Sequence, residues 1–266
     1  MKSIHFLDWI IIASYFLYIL YIGIFRFKDK TNSQNKFILS GRRLSIVGFI
    51  ATLVTTWYGG ILGVGENTLL YGVQTWFIFA LPYYFFAIIY AITIAPRIRK
   101  NGFLSIPDHF HHTFGERTGI TAALIITFLA SPAPYILSLG IILQFLFGIN
   151  LGVSLLIATL MSIVYIWNGG FSAVVTTDRI QFILMFFGFI SLFTFLYIAN
   201  GSPLKLINSL PKRMLDPLGG NSIQYIFVWF FIASWTFIDP GFYQRCSAAK
   251  NPNIAKKGIL FSIFFL

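Results

Sequence analysis

Charge and cysteine are both scarce here. The 266 residues hold one cysteine, Cys246, and only eight acidic side chains, and charged residues make up 10% of the chain. Soluble domains carry about 25% charged residues, so the surface of a water-soluble globule of this size would go uncoated. A lone cysteine excludes a disulfide framework and a thiolate metal site within one chain. No Gly-x-Ser-x-Gly elbow, phosphate loop or serine–histidine–acid order occurs, so nothing points to covalent catalysis or to an organic cofactor. His109, His111 and His112 cluster, but only His5 remains elsewhere. A membrane di-iron centre needs several such groups, and a solvated amphipathic segment explains this one.

What is abundant is apolar sequence: 57% of the residues are hydrophobic and mean hydropathy is +0.79. Apolar runs lie near 6–25, 45–70, 76–96, 119–147, 150–168, 180–199 and 223–239, and another starts near 258. A bilayer span takes about 20 such residues. The chain therefore reads as an all-α polytopic membrane protein, with the lipid bilayer as its first partner. The first run lacks a basic leader and a small-residue cleavage site, so it reads as an uncleaved helix rather than a signal peptide.

Net charge of +11 suggests nucleic acid until the charges are placed. Arg26, Lys28, Lys30, Lys36, Arg42, Arg43, Arg97, Arg99, Lys100, Arg117, Arg179, Arg245, Lys250, Lys256 and Lys257 fall on alternate loops. Only Lys2, Lys205, Lys212 and Arg213 fall on the others. This asymmetry is the positive-inside signature. It removes the nucleic-acid reading and predicts a cell-membrane protein with its N-terminus outside.

The run 45–70 carries threonines at 52, 55 and 56, then glycines at 59, 60, 63 and 65. Each interior glycine costs a helix about 1 kcal/mol relative to alanine. An interrupted helix is predicted, as is tolerated where backbone lines a polar cavity; close approach of two helices is the competing explanation. Ser131-Pro132-Ala133-Pro134 predicts a second break, and Asp239-Pro240-Gly241 a third. Glu66, near the outer end of its run, would reach interfacial water or serve function. Asp239 is expected to cap a following helix or bond Arg245. Asp178 and Arg179 are placed in a loop before the sixth run, as capping and ion-pairing residues.

Several segments together resemble the sodium:solute symporter family. Phe37-Ile38-Leu39-Ser40-Gly41-Arg42-Arg43-Leu44 resembles its approach to the first core helix, and Ala51-Thr52 with Gly59-Gly60-Ile61-Leu62-Gly63 resembles that broken helix. Pro96 and Ile106-Pro107-Asp108 match the next helix end. Tyr165 to Gln181, with Gly169, Gly170, Thr177 and Asp178, resembles the "Y-x-x-x-G-G-x-x-A-V-x-x-T-D-x-x-Q" block. Gln244-Arg245-Cys246-Ser247-Ala248-Ala249-Lys250 resembles "Q-R-x-x-A-A-K".

The resemblance implies an inverted-repeat secondary-transporter fold. Residues 6–25 would be a leading helix, 45–199 a first five-helix repeat, and 223–266 the start of a second. It implies sodium and a small-molecule solute as ligands. Sodium-coordinating carbonyls would fall on Leu53 and Thr56, and the substrate cavity would touch Thr55, Gly59, Gly60 and Trp235. The sugar carriers' glutamine falls on Gly60 and their asparagine on Ile232; the proline carriers' aspartate falls on Thr55. No substrate follows from these positions. Two repeats and a leading helix need roughly eleven spans, and the sequence ends nine residues into an apolar run, so a truncated chain, inactive alone, is expected. The function implied is sodium-coupled symport by alternating access. The alternative is the membrane input module of a sensor protein with a symporter-like domain.

Overall fold

The computed structural model describes residues 5–26 and 34–265, so Lys2, Lys28, Lys30 and Leu266 of the charge and chain-end arguments lie outside the described residues. Among the described residues six helical stretches are long and apolar enough to cross a membrane: Phe6–Phe25, Ile46–Tyr71, Gln74–Thr93, Glu116–Phe147, Gly170–Asn200 and Ile223–Ala248. Leu151–Trp167 is a shorter apolar helix of 17 residues. Among the described residues the only β pairing is one isolated bridge, Leu44 to Ala249.

In chain order the helices are α1 (Phe6–Tyr21), α2 (Gln34–Leu39), α3 (Ile46–Trp57), α4 (Ile61–Tyr71), α5 (Gln74–Phe79), α6 (Leu81–Thr93), α7 (Ala95–Asn101), α8 (Ile106–Phe114) and α9 (Glu116–Leu129). They continue with α10 (Ala133–Phe147), α11 (Leu151–Trp167), α12 (Gly170–Asn200), α13 (Pro203–Ser209), α14 (Lys212–Leu215), α15 (Ile223–Ile232), α16 (Pro240–Ala248) and α17 (Pro252–Ser262). Their starts are chemically marked. Ser45, Ser105, Asn150, Ser202, Ser222, Asp239 and Asn251 each accept a main-chain N–H from the first turn they precede, which satisfies donors that lipid would leave stranded.

All three predicted breaks are present. A 3-10 turn, Tyr58–Gly60, separates α3 from α4; Ala130–Pro132 separates α9 from α10; a 3-10 turn, Ala233–Phe237, precedes Asp239 and α16. The first break tightens the helix instead of unwinding it. Tyr58 N–H still donates to Val54 and Thr56 carbonyls and Ile61 N–H to that of Tyr58, as expected where unpaired backbone is expensive. The sixth apolar run differs from expectation. Its helix starts at Gly170, not near 180, so Asp178 and Arg179 lie inside α12 and not in a loop. Asp178 is buried, 6% exposed. A carboxylate lowers hydropathy but does not interrupt a helix that gives it a partner.

The core gathers α3 between α12 and α17, with α6, α7 and α16 closing the other sides. Lipid tails are as apolar as leucine, so association in a bilayer rests on close packing by small residues. Gly258 on α17 shows this: a Cβ there would stand 2.5 Å from the Phe49 ring. At Gly23, beside α1, a Cβ would meet the Tyr165 main chain at 2.5 Å.

Candidate functional site

The site forms where the first and third breaks face each other. Trp57, ending α3, and Phe242 on α16 have ring centroids 5.4 Å apart. Between them lies Arg245, 4% exposed. Its Nη2 donates to the Thr52 carbonyl at 3.0 Å, to Thr52 Oγ1 at 3.1 Å and to Thr56 Oγ1 at 2.6 Å; its Nη1 donates to the Gly241 carbonyl at 3.0 Å. Thr52 Oγ1 in turn donates to the Asp178 carboxylate. One threonine thus joins a buried acid on α12 to a buried base on α16. Arg245 Nε has no hydrogen-bond partner.

Of the two expected sodium residues, Thr56 belongs to this network. Leu53 is buried, and Thr56 is half-buried with its hydroxyl donating to the Thr52 carbonyl at 2.8 Å. The Thr56 carbonyl accepts from Tyr58 N–H. Thr55 donates to the Ala51 carbonyl at 2.8 Å, so these hydroxyls back-bond their own helix.

The expected cavity residues divide. Gly59 carries the Tyr135 ring, which a Cβ would meet at 2.5 Å, whereas Gly60, Gly63 and Gly65 have nothing within 4 Å. Close approach therefore accounts for one of the four glycines. Trp235 Nε1 donates to Asp239 Oδ2 at 3.1 Å, and Asp239 Oδ1 accepts from Phe242 N–H at 2.8 Å. Asp239 is thus the cap of α16; no ion pair between it and Arg245 is formed. A cavity of about 400 Å³ reaches from the Ser105–Pro107 turn to Thr56, Tyr135, Asp239 and Gln244. A second, of about 430 Å³, lies behind the first break against Tyr15, Thr55, Gly59 and Gln181. Glu66 is exposed on α4.

The remaining motif residues brace one end of the molecule. Gln244 Nε2 donates to the Ile38 carbonyl at 2.8 Å, Ser247 Oγ to that of Phe103 at 2.7 Å, and Gln181 Nε2 to Tyr15 Oη at 2.8 Å. Leu44 N–H donates to the Ala248 carbonyl and Lys250 N–H to that of Leu44, each at 3.0 Å. Arg99 Nε donates to the Ala249 carbonyl at 2.5 Å; burial, then the nearby Arg42, pulls its pKa below the usual value. Gly170, at φ +49°, would place a Cβ 2.5 Å from the Phe37 carbonyl oxygen, so the first glycine-containing blocks meet here. Gly169 precedes it as the cap residue of α12, and Thr177, buried, hydrogen-bonds Tyr165 Oη at 3.2 Å. Among the described residues no cluster of histidine, cysteine and acidic side chains could hold a metal; the three histidines lie on α8, where Phe103 stacks on His112.

The sodium:solute symporter family model matches residues 37–266. The chain belongs to that family. It is 27% identical over 196 residues to a high-affinity choline transporter of Caenorhabditis elegans, covering 66% of this chain and 33% of that protein. To the sodium/glucose cotransporter of Vibrio parahaemolyticus it is 24% identical over 296 residues, covering 98% and 53%. To the osmoregulated proline transporter of Bacillus subtilis it is 28% identical over 256 residues, covering 89% and 51%. The fold matches a Na+-coupled sialic acid symporter in a substrate-bound outward-open state, at TM-score 0.79 and 16% identity, over 99% of this chain and 57% of that one. The chain thus adopts the all-helical inverted-repeat transporter fold and is a multi-pass membrane protein. It spans a third to about half the length of these relatives.

Tyr135 and Thr52 were not singled out as site residues from sequence. Thr52 stood in the threonine cluster, and its partner Asp178 was hidden by assignment to a loop. Tyr135 follows Pro134 at a break, but nothing local marks it as facing Gly59.

Proposed function

We propose that this chain forms part of a sodium-coupled symporter that moves a small organic solute by alternating access. Residues 6–25 serve as the leading helix, 45–199 as the first repeat and 223–266 as the opening of the second. Solute sits between the two facing breaks, by Thr55, Gly59, Gly60 and Trp235. Sodium is held by the Leu53 and Thr56 carbonyls. The N-terminus lies outside, and the basic residues mark the cytoplasmic side.

The observation that carries this reading is the Arg245 tie between the breaks. A guanidinium bonded to both Thr52 and Thr56 makes the ion segment of one broken helix and the cap region of the other a single mechanical unit. Ion binding at one break then biases the geometry of the other, which is what coupling requires. An inward sodium ion also gains about 2.3 kcal/mol per 100 mV of membrane potential.

The test is uptake into proteoliposomes by the longest open reading frame containing this chain, with choline, glucose, proline and pyruvate as probes. Saturable uptake of one of them that requires an inward sodium gradient is expected. Uptake unchanged when potassium replaces sodium overturns the coupling.

A further inference from the structure

We propose that the cavity between the two breaks selects an organic ammonium cation and rejects solutes whose only charge is a carboxylate. This rests on the reading of the space between the breaks as the solute site: Thr55, Gly59, Gly60 and Trp235 do not line the 400 Å³ cavity, but its Tyr135 and Asp239 contact Gly59 and Trp235.

Among the described residues Asp239 is the only charged residue lining the 400 Å³ cavity, with no lysine, arginine or histidine beside it. The one guanidinium nearby, Arg245, spends Nη1 on the Gly241 carbonyl and Nη2 on Thr52 and Thr56, and is buried behind them. Around the two breaks the buried and half-buried charges are two carboxylates, Asp178 and Asp239, against that single cation. One negative charge is in excess. The Asp239 carboxylate accepts from Trp235 and Phe242 but pairs with no cation among the described residues, so a positive group entering here is stabilised and a negative one repelled.

Transporters commonly hold an anionic solute group at the N-terminus of a half-helix. Both such ends are already occupied here. At α16, the Asp239 carboxylate takes the Phe242 N–H. At α4, the 3-10 turn keeps the Tyr58 and Ile61 N–H groups paired inside the helix. A carboxylate solute would find no cation lining this cavity among the described residues, and the α16 end already capped by Asp239.

The wall beside Asp239 suits a weakly hydrated ammonium. Tyr135 and Tyr243 line the cavity with it, and aromatic faces attract cations within about 6 Å of the ring. The volume is that of an organic solute and far larger than a bare alkali ion.

The experiment uses the full-length protein purified in detergent, with radiolabelled choline as probe, in sodium and in potassium. Saturable choline binding is expected, displaced by tetramethylammonium and not by pyruvate or glucose. Asp239→Asn keeps a capping oxygen for α16 and removes the charge; it is expected to weaken choline binding at least about tenfold while the melting temperature shows an intact fold. If that variant does not fold, Tyr135 decides: Tyr135→Leu weakens choline binding several-fold and Tyr135→Phe does not. The proposal is overturned by choline binding unchanged in Asp239→Asn or, where that variant does not fold, in Tyr135→Leu. Pyruvate or glucose binding in preference to choline overturns it too, as does sodium competing with choline, which assigns Asp239 to the ion. Sodium-dependent glucose or pyruvate uptake overturns this inference and leaves symport standing. Choline binding indifferent to sodium supports this inference and argues against coupling.

Discussion

Arg245 donates to the main-chain carbonyl of Thr52 at 3.0 Å, joining residues 193 positions apart in the chain. The bond links the middle of α3 to α16, and Thr52 passes the link to Asp178 on α12. Three helices thereby meet at one hydroxyl.

Removing one member of this network leaves the other charge buried. Arg245→Met is expected to destabilise the protein by about 3–5 kcal/mol, read as a lowered melting temperature in detergent. Adding Asp178→Asn should recover part of that loss, because the stranded carboxylate is then neutral. An additive double variant would show that Thr52 does not couple the two.

How far this arrangement was legible in sequence depends on the kind of signal. The breaks were legible because glycine and proline act locally: Gly59-Gly60, Pro132-Ala133-Pro134 and Asp239-Pro240-Gly241 each fall at an interruption. The capping role of Asp239 was legible for the same reason. Asp178 was misplaced because hydropathy drops around a polar residue whether it sits in a loop or pairs inside a helix. Only the long-range contact with Thr52 tells these apart, and no local pattern encodes a partner 126 residues away. Tyr135 was missed on similar grounds, since its meaning lies in its close contact with Gly59 at the first break.

The glycines should separate into two kinds. Gly63 faces open space, so Gly63→Ala is expected to be neutral or to stabilise by up to about 1 kcal/mol through helix propensity. Gly170 has φ +49° and the Phe37 carbonyl against it, so Gly170→Ala should lower the melting temperature strongly. Equal shifts in the two variants would contradict the packing described.

Thr56 should report on the ion. Its hydroxyl accepts from Arg245 at 2.6 Å, and its carbonyl is one of the two proposed sodium ligands. Thr56→Ala loses a hydrogen bond to a charged donor and is expected to raise half-saturating sodium by about tenfold. Thr56→Ser should restore it. Sodium dependence unaltered in Thr56→Ala would move the ion site elsewhere.

Orientation is testable through the cysteine that the chain almost lacks. Cys246 is 0% exposed, so it is a silent background for labelling with a membrane-impermeant maleimide. Lys205 on α13 and Lys100 on α7 are both exposed and lie in connections between spans that the charge pattern assigns to opposite sides. With the N-terminus outside, Lys205→Cys reacts on intact cells, and Lys100→Cys reacts only after the membrane is opened. The reverse pattern would place the basic loops outside, against the charge asymmetry. It would also invert the cavity, since the Ser105–Pro107 turn at its mouth follows Lys100 by a few residues. The same two variants therefore decide which side of the membrane that end of the cavity faces.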